Sequence, residues 1–320
     1  MRFLITLTGL LLAASLTACK RAPDQTSTPS NNPSPNAELP AVYATFYVPA
    51  YLTQRIAGDL IKVNTPIPPT EDPAFWDPTA DIITRFQRAP LIIANGARFE
   101  RWIDRSPLPE SRLVRSADAF RDDWIQLQTT THSHGPTGKH THTGPDGHTW
   151  LDPANLQRQA EAIHQALIEA FPEHADRFTT NLDQLNQDIA QLTDTFNDMI
   201  ADLAGVHLLA AHPSFNYPAR RFGWPMDNLE PALDSTAADP AVAIEAVRTA
   251  QRAGSPSRVV VLWTAEPNAS LAEAIEQATG AVSIHFDIAE RPPSARDADY
   301  FTRMGDNLLR LSAAAAGKQP

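Results

Sequence analysis

Residues 172–203 read PEHADRFTTNLDQLNQDIAQLTDTFNDMIADL. Their apolar side chains fall at Phe178, Leu182, Leu185, Ile189, Leu192, Phe196, Met199 and Leu203. These steps alternate between four and three residues, which keeps one face of a helix apolar along its whole length. Pro172 stands where a first-turn proline is tolerated. The spacing predicts one continuous helix over 172–204. A coiled-coil strand would carry the same stripe, but no second segment of comparable length shows the pattern. The stripe is therefore expected to be covered by the chain on either side of it.

Both flanks alternate short β-branched or aromatic runs with helical spacings. Before the long helix, AVYATFY (41–47), the run at 62–67, LIIA (91–94) and RLV (112–114) read as strands. Helices are predicted over 52–60, 81–89, from Phe99 to Ile103 and over 153–171. After it, VHLLAA (206–211), 226–230, RVVVLW (258–263) and 281–287 read as strands. Helical segments lie between them, and a last helix runs over about 297–313. Strand–helix alternation on this scale predicts mainly parallel sheets. The expected fold is α/β: an N-terminal lobe over 40–171, the linking helix over 172–204, and a C-terminal lobe over 205–320.

The N-terminus addresses the compartment. Arg2 precedes an apolar run from Phe3 to Leu16, too short for a permanent membrane span, and the run ends at Leu16-Thr17-Ala18-Cys19. This is similar to a bacterial lipoprotein signal. It implies cleavage after residue 18, lipid attachment at Cys19 and residence on the periplasmic side of a membrane. Residues 19–39 are rich in Pro, Ser, Thr and Asn and are expected to be a flexible tether. Cys19 is the only cysteine of the 320 residues, so any metal site must use His, Asp or Glu. The formal charge of −11, carried with only four lysines, argues against a nucleic-acid partner. Membrane association is left to the lipid, and a monomer is expected.

Five of the 10 histidines fall between His132 and His148, spaced by Ser, Gly, Pro, Thr and Lys. Neutral imidazole is the commonest protein ligand for borderline transition metals, so a metal-gathering loop over 132–148 is expected. His132, His134, His140 and His142 are its auxiliary donors. Three further candidates stand at the ends of elements, where α/β folds gather their sites. His148 precedes a helix, His212 follows the strand VHLLAA, and Asp287 ends the last strand. Singly, each also has a plainer reading, as a hydrogen-bonded structural histidine or a helix-capping aspartate.

His148-Thr-Trp-Leu-Asp-Pro, then a long helix, then His212-Pro-Ser-Phe-Asn-Tyr resembles the metal-binding solute-binding proteins of bacterial ABC importers. The resemblance extends to ATFYVPAYLTQRIAG, LIIANGARFERWI, the run Leu229-Glu230-Pro231, LWTAEPNASLAEAIEQATG and DADYFTRMGDNLLRL. It implies a metal cleft between two lobes held by a rigid linking helix, with an ABC permease and its ATPase as partners. His148 and His212 match the second and third ligands of that family, and Asp287 a carboxylate that some members use as the fourth. Histidine at the third position is similar to the zinc branch rather than the manganese one, and so is the His-rich loop. Imidazole and carboxylate donors in a tetrahedral shell suit Zn²⁺.

The family's first ligand follows Asp-Pro, but this chain reads Asp72-Pro73-Ala74-Phe75-Trp76. Ala74 cannot coordinate. Water, a loop histidine, Glu71 or Asp72 could fill the position, and Glu71 is the preferred substitute because it would balance the charge of Zn²⁺. The chain is expected to capture metal rather than act as an enzyme. A metal-dependent hydrolase and a stand-alone metal buffer are the alternatives, since three protein ligands with an open position also activate water. Neither HExxH nor a paired-carboxylate arrangement supports the hydrolase.

Overall fold

The computed structural model describes residues 39–133, 139–229, 239–254, 256–294 and 298–318. The signal segment, Cys19, all but the last residue of the tether, His134 and Glu230 lie outside the described residues.

The N-terminal lobe is built on a four-stranded parallel sheet of order β2-β1-β3-β4. Its strands are β1 (Ala41–Ala44), β2 (Lys62–Asn64), β3 (Ile92–Ala94) and β4 (Leu113–Arg115), with α1 (Tyr47–Ala57) and α2 (Ala80–Arg88) between them. β2 is shorter than its apolar run suggests. Pro66, Pro68 and Pro69 follow at once and have no N–H to give to a ladder. The helix expected from Phe99 is replaced by turns and a short 3₁₀ segment, Ile103–Arg105. Glu100 accounts for this: its carboxylate accepts from the backbone N–H of Asn95 at 2.7 Å and of Gly96 at 3.2 Å, fixing a loop instead. Ala97 and Arg98 in that loop take left-handed backbone angles, φ 49° and 58°.

The His-rich segment also departs from the loop reading. β5 (Gln126–Ser133) and β6 (Lys139–Pro145) pair as an antiparallel hairpin in which His132 stands opposite His140 and Thr130 opposite His142. The threonines beside the histidines are β-formers, and Thr141 and Thr143 alternate with His140 and His142 in a period of two that suits a ladder.

α3 (Pro153–Ala170) starts at Asp152, whose side chain accepts from the N–H of Ala154, with Pro153 in the first turn. After a 3₁₀ turn at Pro172–His174, α4 (Ala175–Asp202) forms the long helix. The C-terminal lobe has a second four-stranded parallel sheet, order β10-β9-β7-β8. Its elements run β7 (Val206–Ala210), α5 (Asn216–Phe222), β8 (Met226–Asn228), α6 (Pro240–Gly254), β9 (Arg258–Trp263), α7 (Ala269–Thr279), β10 (Val282–His285) and α8 (Tyr300–Ala315). α7 is capped by Asn268 and stopped by Gly280 at φ 71°, an angle that favours glycine.

The α4 stripe does what its spacing requires. Phe178, Leu182, Leu185, Ile189, Leu192, Phe196 and Met199 are all buried. They belong to one apolar core that also contains Val42 and Ile92 of the first sheet and Leu208 and Val260 of the second. Phe196 stacks on Phe222 and Trp224 at 4.9 and 5.6 Å. Nearer its start, Asn181 donates to the carbonyl of Ile56 at 2.9 Å, and Arg55 of α1 pairs with Asp188. The second sheet is buried on both faces: Leu208 and Val260 face the shared core, while Leu209, Val259 and Val261 face a separate cluster with Val247 and Ile275. Among the described residues, no helix is long and apolar enough to cross a membrane.

Candidate metal-binding cleft

Parallel strands gather side chains beyond their carboxyl ends, and here both sheets contribute to one cavity of about 190 Å³. From the N-terminal lobe it is lined by Asp72, Ala74 and Phe75, by Arg98, Phe99 and Arg101, and by Gly147 and His148. From the C-terminal lobe come His212, Thr264 and Ala265 after β7 and β9, and Ile288, Glu290 and Arg291 after β10.

His148 is buried and held from behind. Its Nδ1 lies 2.8 Å from Oδ1 of Asp146, which also accepts from the His148 backbone N–H at 2.9 Å. Asp146 is itself fully buried. Its Oδ2 accepts from Nδ2 of Asn216 at 2.8 Å, and its carbonyl accepts from the hydroxyl of Tyr217 at 3.0 Å. A carboxylate on Nδ1 fixes the proton there and leaves Nε2 as the lone-pair nitrogen, the arrangement that orients metal-binding histidines. Gly147 makes the approach possible, because a Cβ at that position would lie 2.8 Å from Cβ of Phe99. Behind the loop, Oδ1 of Asn95 accepts from Thr149 at 3.0 Å and from Gln159 at 2.8 Å, so the cleft floor rests on satisfied buried groups. Burial pushes the Glu100 carboxyl up, against the hydrogen bonds it accepts from Thr45, Asn95 and Gly96.

His212 reaches the same cleft from the other lobe, its ring centroid 5.4 Å from that of His148. Its Nδ1 is 2.6 Å from Oγ of Ser214, which in turn lies 3.3 Å from Nε2 of His148. One hydroxyl therefore bridges the two imidazoles, able to accept from one and donate to the other.

The carboxylates sit differently from the sequence expectation. Asp287 turns away from the cavity: Arg303 donates to it from Nε at 2.8 Å and again from Nη2, and Ala289 N–H donates at 2.9 Å. Burial raises its carboxyl, but the Arg303 bonds and the Ala289 N–H outweigh that and hold it below the usual carboxylate range. Glu71 is exposed and does not line the cavity; its carbonyl accepts from Nε of Arg291 at 3.1 Å across the cleft. Asp72 and Glu290 line the cavity instead. Asp72 was the second choice beside Glu71 on the sequence, and nothing there marked Glu290. Ala74 lies on the cavity wall as an apolar methyl. Among the described residues, no three His, Cys, Asp or Glu side chains already converge on a single metal-sized point.

A family model described as "Zinc-uptake complex component A periplasmic" matches residues 42–314. The iron-binding protein YfeA of Yersinia pestis is 26% identical over 210 residues, 62% of this chain and 63% of that protein. The zinc-binding lipoprotein AdcA of Streptococcus pneumoniae is 22% identical over 280 residues, 84% of this chain and 53% of that protein. The matched region thus spans less than two thirds of either relative. Among solved structures, the periplasmic zinc-binding protein TroA of Treponema pallidum superposes with a TM-score of 0.70 at 20% identity, over 87% of this chain and 99% of that one. At that identity the likeness speaks for the two-lobed fold.

Proposed function

The chain belongs to the periplasmic zinc-uptake component A family, and from that premise we propose that it captures Zn²⁺ in the cleft between its lobes and delivers it to an ABC permease with its ATPase. The family is made up of solute-binding proteins. The observation that carries the reading is the meeting of His148 and His212, one from each lobe, with Nε2 of His148 turned toward the other lobe by the Asp146 contact on Nδ1. Two imidazoles with oxygen donors and no thiolate fit zinc, and among divalent first-row metals such a set binds zinc more tightly than manganese or iron. The relatives named above differ in their metal, iron for one and zinc for two, so the choice of zinc rests on the donor set.

In this reading Cys19 carries the lipid, residues 20–39 span from the membrane, and His132, His134, His140 and His142 capture further metal more weakly. The hydrolase and the stand-alone buffer gain no support, since the relatives described above are named for binding metal. Replacing His148 or His212 by Ala should weaken Zn²⁺ binding at least tenfold in a calorimetric titration, with the melting curve of the metal-free protein little changed. Unaltered affinity in both variants would overturn the assignment.

A further inference from the structure

We propose that Glu290 and Asp72, and neither Asp287 nor Glu71, are the carboxylates that close on the metal beside His148 and His212. This rests on the reading of the cleft as the metal site. Both carboxylates line the cavity that the two imidazoles line, and neither Asp287 nor Glu71 does.

Two cross-lobe hydrogen bonds bring the pair together. Arg291 donates from Nε to the carbonyl of Glu71 at 3.1 Å, which ties together the residues next to Glu290 and next to Asp72. Trp150, two residues from His148, donates from its indole to the carbonyl of Ile288 at 2.7 Å, two residues from Glu290. The turn between β10 and α8 is thus fixed against the His148 loop from the far side of the cleft.

Asp287 is the residue that shapes this turn. With Arg303 on both its oxygens and the Ala289 N–H on one of them, it supports Ala289 at φ 59° and leaves Glu290 to face the cavity. The Glu290 carboxylate accepts no hydrogen bond among the described residues. Zn²⁺ with two neutral imidazoles and two carboxylates carries no net charge, the cheapest combination to enclose, and fills a four-coordinate shell without a donor at Ala74. The four side chains face one small cavity, so rotation about their χ angles is the movement that would bring them onto the ion.

The test is Zn²⁺ titrated calorimetrically into the chelator-stripped full chain and its Glu290→Gln, Asp72→Asn, Glu71→Gln and His148→Ala variants. Glu290→Gln and Asp72→Asn should each lose tenfold or more in affinity, and Glu71→Gln less than threefold. If the first two bind like the parent while His148→Ala is impaired, the carboxylate assignment is overturned and the cleft reading survives. If His148→Ala also binds like the parent, the cleft reading falls and takes this inference with it. A crystal structure of the Zn²⁺ complex separates direct from indirect effects: oxygens of Glu290 and Asp72 should lie about 2.0–2.2 Å from the metal. A shell that lacks either of them, or that contains Asp287, overturns the proposal.

Discussion

The two rims of the cleft are built on different terms. On the N-terminal side, His148 is buried and buttressed by a carboxylate that is itself fully paired, and the loop that carries it is bonded to Asn95 and Gln159 through Thr149. On the C-terminal side, His212 is only partly buried, and a serine hydroxyl bonds its Nδ1. A carboxylate partner fixes a tautomer and strengthens the imidazole as a donor; a hydroxyl can donate or accept and fixes neither. One imidazole is thus oriented through a buried carboxylate, and the other meets a hydroxyl on the same nitrogen.

The comparison is broken most directly at Asp146. Asp146→Ala should weaken Zn²⁺ binding by about 10–100-fold, the usual cost of losing such a partner, whereas Ser214→Ala should change it by a few-fold at most. Calorimetric titration of the two variants side by side reads the difference, and equal losses would show that the rims are alike. Asp146→Asn, which keeps the side-chain shape that meets Asn216, controls for misfolding.

A second test sharpens the same contrast through stability. Gly147→Ala places a methyl against Phe99 at a distance that no relaxed contact tolerates, and should cost about 1–3 kcal/mol in urea unfolding. The rigid rim should register this methyl in full. A cost below about 0.5 kcal/mol would mean that the loop gives way.

The smallest expected effect is at Asp287. Its folded carboxyl lies below the ordinary range, so it contributes stability above the unfolded value of about 3.9, and that contribution is lost as pH falls through the lower folded value. Asp287→Asn should therefore be destabilised by about 1 kcal/mol near pH 6, given that the pair is one-third solvent-exposed on the Asp287 side. The gap from the parent should close as the pH falls below the ordinary carboxylate range. Unfolding midpoints measured across that range check it; a gap that does not depend on pH would remove the Arg303 ion pair from the account.

What could be read in advance follows the reach of each signal. The α4 stripe was legible because its burial is periodic along the chain itself. His148 and His212 were legible because the residues around them form a recognisable context. Asp287 and Glu290 were not separable. They are three positions apart at the end of one strand, and what distinguishes them is Arg303, sixteen residues beyond Asp287 on another element. Glu71 and Asp72 are adjacent, and which of them faces the cleft depends on the carbonyl contact with Arg291, 220 residues away. The hairpin over the histidines was missed for a different reason: the period-two threonines were outweighed by the chemistry of the residues between them.

The α4 core has a thermodynamic corollary. A single apolar cluster runs from Val42 through Phe196 to Val260, so the lobes share their side chains and cannot melt one at a time. The described fold should unfold in one calorimetric peak, its enthalpy matching the van't Hoff value. An ion bound at the rim then protects every residue of that cooperative unit alike: at a free concentration of a thousand times Kd it adds about 4 kcal/mol to global stability. Resistance of the whole fold to added protease should rise in step with the bound ion.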